Sequence, residues 1–221
     1  MSPSPFEPTF EELPRIIPIF PLNGVLLLPA GRLPLNIFEP RYLAMTRAAL
    51  ATPHRIIGMI QPTERRPGDM NPPVYETGCA GRIVTFNETE DGRYLITLAG
   101  VARFAVVEEL GLQDGYRRVA ADFSRFRRDL EADGEAAVER ERLLAALRVY
   151  LAHQGVKADW DVIKDTADDR LVTSLAMMCP FKDSEKQALM EAPDLTERAR
   201  ILVALLEMAS LDVAGGDKSR H

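Results

Sequence analysis

Few residues in this chain could do covalent or metal chemistry, and they are scattered. The histidines are His54, His153 and His221, the cysteines Cys79 and Cys179, and the lysines Lys157, Lys164, Lys182, Lys186 and Lys218. A catalytic base would need a nucleophile within hydrogen-bond reach, and a metal would need several ligands at short spacing. Neither pattern occurs. His54 follows a helix stop, His153 falls in the last turn of a predicted helix where its charged form suits the dipole, and His221 is terminal. The cysteines have neither a CxxC partner nor a histidine cluster and are expected to be free, partly buried thiols in a reducing compartment. The acid pairs Glu108-Glu109 and Asp168-Asp169 are sequence neighbours. On a strand such neighbours point to opposite faces, and at a helix start they serve the dipole. No phosphate-cradling Gly-x-x-x-x-Gly-Lys-Ser/Thr run and no Gly-x-Ser-x-Gly elbow is present. The expectation is a chain with no catalytic residues, no metal ligands and no cofactor.

Composition narrows the function classes further. A net charge of −6 argues against a dedicated nucleic-acid binder, which needs a concentrated excess of Lys and Arg. Hydrophobic residues make up 46% and charged residues 27%, as in ordinary globular proteins. The start, Met-Ser-Pro-Ser-Pro-Phe-Glu-Pro, is unlike a signal peptide, and no apolar run approaches the roughly 20 residues that span a bilayer. A cytoplasmic protein without a membrane partner is expected.

The organising stretch runs from Arg15 to Leu43 and threads five prolines, Pro18 to Pro40, through aliphatic runs. Proline donates no ladder N–H, so this stretch predicts short strands that turn at Pro21, Pro29 and Pro34. A helix follows over 39–52, with Pro40 in its first turn. Residues 55–61 predict a buried strand, and 61–75 a long loop that is either functional or mobile. Two strands, 78–86 and 93–98, meet at the Asp91-Gly92 turn; Gly100 is expected to bend the chain into a third, 101–107. One more strand is predicted over 116–126. Beyond it, helices are expected over 135–153, 168–179, 183–190 and from Leu195, the last capped by Asp194 with Glu197. Residues 1–14 predict a flexible lead-in, 15–130 a β-rich unit, 131–213 a helical unit, and 214–221 a disordered tail.

Several of these segments resemble the Lon protease amino-terminal (substrate-binding) domain family. Phe20-Pro21-Leu22, Val25 to Pro29 and Pro34-Leu35-Asn36-Ile37-Phe38-Glu39-Pro40-Arg41-Tyr42 match its opening signature, and Gly100-Val101-Ala102-Arg103-Phe104 its second. Glu191-Ala192-Pro193-Asp194-Leu195 matches its helical part, so the likeness covers about 15–211. The resemblance implies an α+β fold, a PUA-like β pseudo-barrel followed by an α-helical subdomain, in a stand-alone member lacking the ATPase and protease modules. Pro34, Phe38, Glu39, Arg41, Tyr42, Gly100, Arg103 and Phe104 carry its structural motif.

By that resemblance the expected function is non-enzymatic binding of extended or unfolded polypeptide, or of a protein partner, in substrate recognition or as an adaptor. Leu26, Leu27 and Leu28, and the loop with Met70, Pro72, Pro73 and Tyr75, are the candidate binding residues. Glu39 and Arg41 flank a proline at a strand-to-helix corner, where they can satisfy backbone groups or pair with Arg103. The alternative is an RNA- or small-ligand-binding PUA-like module. A continuous basic face across Arg117, Arg125, Arg127 and Arg128 would favour RNA, and a mixed face with an apolar groove would favour polypeptide.

Overall fold

In the computed structural model the described residues are 8–64, 69, 71–131 and 137–216. The chain divides into two compact units, Met1–Asp133 and Gly134–His221. The first is built on β1 (Ile16–Pro21), β2 (Arg32–Ile37), α1 (Pro40–Leu50), β3 (Ile56–Ile60), β4 (Thr77–Glu88), β5 (Tyr94–Gln113) and β6 (Tyr116–Asp122). Their order, β2-β5-β4-β3-β1-β6, closes on itself because β5 also pairs with β6. The ring β1-β3-β4-β5-β6 is therefore a barrel, with β1 and β3 parallel and its other pairs antiparallel. β2 lies outside the ring along the first part of β5, from Arg32 opposite Ala99 to Ile37 opposite Tyr94.

The barrel core holds Ile17, Ile19, Ile56, Ile60, Phe104, Val119 and Phe123. Burying each such side chain stabilises by about 1.5–3 kcal/mol. The Phe104 ring fills space that Gly58 and Gly78 leave open, since a Cβ at either would come within 2.9 or 2.7 Å of it. This explains glycines inside two buried strands, where they otherwise weaken the pleat.

Several expectations are corrected. Within the expected flexible lead-in, residues 8–14 are tied down: Phe10–Glu12 form a 3-10 turn in which Glu12 accepts from the Thr9 N–H at 2.8 Å. Leu13 is buried, and Phe10 packs on the core. Residues 1–7 lie outside the described residues. Pro34 sits within β2 and turns nothing, because an edge strand tolerates a missing donor. Gly100 does not end a strand: β5 runs through it as one 20-residue strand, and the expected bend is reduced to a register shift against β4 between Gly100 and Ala102. The strand expected over 116–126 ends at Asp122 and gives way to a 3-10 segment, Ser124–Leu130, where Asp122 accepts from the Ser124 N–H at 2.9 Å.

The second unit comprises α2 (Arg140–His153), α3 (Trp160–Asp165), α4 (Asp168–Met178), α5 (Asp183–Glu191) and α6 (Leu195–Gly216). Leu143, Leu147, Tyr150, Leu171, Val172, Leu202 and Leu206 are buried. Asp194 caps α6 as its spacing predicts, accepting from the Glu197 N–H at 2.8 Å. α3 was not predicted. Its cap, Asp159, accepts from the Asp161 and Val162 N–H groups. Arg140 donates to Asp168 and to the carbonyls of Ile163, Lys164 and Thr166, joining the end of α3 to the start of α4. α6 continues to Gly216, past the expected start of the tail, and 217–221 lie outside the described residues.

Candidate functional site

The residues with covalent potential are not assembled. Cys79 is fully buried in β4, and Cys179 caps α4. Burial pushes the Cys179 thiol up to about 11, against the opposing pull of Lys186. Burial in turn pulls the Lys186 ammonium below its usual range. A buried thiol with so little thiolate is a poor nucleophile. At pH 8 iodoacetamide should leave Cys179 of the folded chain unmodified over a time in which urea-unfolded chain reacts fully, and labelling should rise only as the pH approaches 11. Rapid labelling of folded chain at neutral pH would contradict this. Among the described residues no three His, Cys, Asp or Glu side chains come together as a metal site. Glu109 of the first acid pair binds Arg117, and Asp168 of the second binds Arg140.

A different group of residues does converge. Phe20 to Asn23 leave β1, Leu35 to Glu39 end β2, and Arg41 and Tyr42 open α1. With Pro62, Asp69 and Pro72 they line a cavity of about 240 Å³. Its base is apolar, with the Phe20 and Tyr42 rings packed at a tilt of 38°, 4.1 Å between centroids, and Ile37 buried among the same lining residues. Phe38, at the mouth, is 61% exposed. Glu39 precedes α1; its Oε2 accepts from Arg41 Nε at 3.0 Å and lies 2.9 Å from Nη2 in the ion pair. The Arg41 guanidinium lies over the Tyr42 ring at 4.4 Å. Glu39 and Arg41 thus make a charge-assisted contact with each other at the corner.

The two ends of the segment 61–75, at 61–63 and 73–75, are pinned to each other. Pro62 bridges Val74, Thr63 N–H donates to the Pro73 carbonyl at 2.9 Å, and Tyr75 N–H donates to that of Gln61 at 3.0 Å. Arg117, buried and bound to Glu109, donates to the Pro72 carbonyl at 2.7 Å and ties Pro72 to β6. A second, shallower concavity of about 450 Å³ lies where β2, β5 and β4 run side by side, lined by Pro34, Phe86, Leu95 and Thr97. Both concavities share Leu35 and Asn36 of β2.

Of the candidate binding residues, Pro72 lines the corner. Pro73 is exposed and Tyr75 half-buried, and neither lines it. Met70 lies outside the described residues. Leu26, Leu27 and Leu28 are corrected: all three are 1% exposed or less, so they are core and offer no surface. Arg103 is corrected as well. It pairs with Asp129, not with the corner acids. Phe20, Leu35 and Asn36 stand in the family signature but were not expected as binding residues, nor was Asn23; the usable signal was the two asparagines interrupting otherwise aliphatic runs.

Comparison with known proteins places this geometry. A family model described as the ATP-dependent protease La (LON) substrate-binding domain matches residues 16–208. Lon protease 2 of Myxococcus xanthus is 27% identical over 201 residues, covering 89% of this chain and 24% of that protein. Lon protease of Anaeromyxobacter dehalogenans is 25% identical, covering 89% and 23%. The chain therefore spans about a quarter of the length of these relatives. Two solved structures share the fold: a Lon N-terminal domain protein from Xanthomonas campestris (TM-score 0.61, 22% identity) and the N-terminal domain of Mycobacterium avium complex Lon protease (TM-score 0.60, 17%). Each covers 86% of this chain and 97% of its own. Among the described residues no helix is long and apolar enough to cross a membrane. With the barrel, the helical unit and the match over 16–208 in agreement, the chain belongs to the LON substrate-binding domain family.

Proposed function

We propose that this chain binds extended polypeptide at the β2–α1 corner, as a recognition or adaptor module with no catalytic step of its own. The observation that carries the reading is the cavity with an apolar base that opens beside the outer strand of the sheet. Among the described residues β2 pairs with β5 alone, so its other edge offers backbone groups to an incoming strand while the two flanking concavities take side chains. Pro34 blunts this edge, which limits indiscriminate pairing with other sheets. Family membership supports the same conclusion, since its description is that of a substrate-binding domain.

The RNA alternative draws no comparable support. Arg117, which would begin the basic face, is buried against Glu109, and Arg127 pairs with Glu11.

The test is fluorescence anisotropy of a labelled ten-residue peptide alternating Leu and Ser, titrated with the whole chain in the presence of ATP. Binding should occur with the peptide left intact. Phe38→Asp, at an exposed position, should weaken binding about tenfold or more, which is about 1.4 kcal/mol, with the urea midpoint measured alongside. Undetectable binding, cleavage of the peptide, or unchanged affinity in Phe38→Asp would each overturn the proposal.

A further inference from the structure

We infer, resting on the polypeptide reading above, that the corner cavity is a selectivity pocket for one cationic side chain of the bound segment, an arginine or lysine. Three features of the cavity carry this. The first is size: about 240 Å³ suits a single long side chain rather than a larger ligand. The second is the layering of its wall. Phe20, Ile37 and Tyr42 at the base are buried, whereas Asp69 at the rim is exposed and the Glu39 side chain is 40% exposed. An apolar base under a carboxylate rim matches a side chain with an aliphatic stem and a charged tip.

The third is the charge balance at the rim. Among the described lining residues, two carboxylates, Glu39 and Asp69, face one guanidinium, Arg41. Arg41 directs both Nε and Nη2 to the same oxygen, Glu39 Oε2, which leaves Oε1 with no partner among the described residues. Asp69 is held at the rim by the Asn71 N–H, which donates to Oδ1 at 2.9 Å. A guanidinium entering the mouth would meet Glu39 Oε1 and the second oxygen of Asp69 as charge-assisted acceptors. A glutamate or aspartate would meet both as like charges, and so would be rejected.

Three labelled peptides of one sequence, differing only in a central arginine, citrulline or norleucine, test this against the whole chain. Citrulline keeps the shape of arginine without its charge. The arginine peptide should bind about fivefold tighter than the citrulline peptide at low salt, a gap set by two partly exposed carboxylates. The gap should close as salt is raised to about 1 M, where screening acts within a few ångströms. In Glu39→Gln/Asp69→Asn the three affinities should lie within twofold of one another. Asp69→Asn alone, which retains an acceptor for Asn71, should narrow the gap partway without involving the Glu39–Arg41 contact. Equal binding of the arginine and citrulline peptides, or a gap that survives in both variants, would overturn the inference while leaving polypeptide binding in place. Binding of none of the three would overturn both.

Discussion

Asp129→Ala should destabilise the β-rich unit by about 3–5 kcal/mol, among the largest losses available to a side chain outside the aliphatic core. The Asp129 carboxylate accepts from the Arg103 backbone N–H at 2.9 Å, from Nε at 2.9 Å and from Nη2 at 2.7 Å. Both side chains are almost entirely buried, at 4% and 8% exposure. The guanidinium also lies over the Phe126 ring at 4.8 Å. This contact fastens the 3-10 segment after β6 onto the middle of β5. Removing the carboxylate takes three hydrogen bonds and a charge partner from a buried cation, and breaking a buried pair from one side is costly. Replacing both partners by apolar residues, Arg103→Met with Asp129→Leu, should therefore recover a large part of the loss. Urea unfolding followed by circular dichroism, arranged as a double-mutant cycle, measures both statements. A loss below about 1 kcal/mol in Asp129→Ala would show that water reaches the guanidinium and that the pair is not a structural lock.

What could be read from the chain was local. Prolines threaded through short aliphatic runs marked β1 and β2, the unbroken Ile56–Ile60 run marked a buried strand, and Asp91-Gly92 marked the β4–β5 hairpin, where Gly92 adopts φ +80°. Leucine spacing and Asp194 located α6. What was missed depended on distant parts of the chain. Arg103 gave no sign that its partner lay 26 residues further on. The run Leu26 to Leu28 looked like exposed apolar surface. It is buried without being a strand, because its backbone crosses β5 rather than lying in the sheet. The corner draws on four separate segments, and Arg117 from β6 fixes one of them, so no window of sequence contains it. α3 was lost for a different reason: six residues are too few to show a helical period, although Asp159 at its start was a usable cap.

Gly100→Ala should cost at least about 4 kcal/mol or prevent folding, more than the 1–3 kcal/mol usual for an overpacked core position. A Cβ at Gly100 would lie 1.9 Å from the Leu28 carbonyl oxygen, 2.8 Å from its carbon and 3.3 Å from Pro29 Cα. Every one of these is backbone, so no side-chain rotation relieves the clash. The segment that would have to move is held by Ala30 N–H donating to the Gly100 carbonyl at 3.0 Å and by Gly100 N–H donating to that of Gly31 at 2.9 Å. Ala30 already takes a left-handed φ of 61° to make this crossing. Pushing the segment outward would break both bonds and expose Leu26, Leu27 and Leu28, whose burial stabilises by about 1.5–3 kcal/mol each. Gly111→Ala, on the same strand with nothing within 4 Å of its Cβ, is the control and should leave the urea midpoint nearly unchanged. The crossing segment leads directly into Arg32 and β2, so a folded but displaced Gly100→Ala chain should also lose affinity for the Leu-Ser peptide. Unfolding within 1 kcal/mol of the parent, with peptide binding retained, would mean that β5 can give way beneath the loop and that the glycine is not what holds the corner in place.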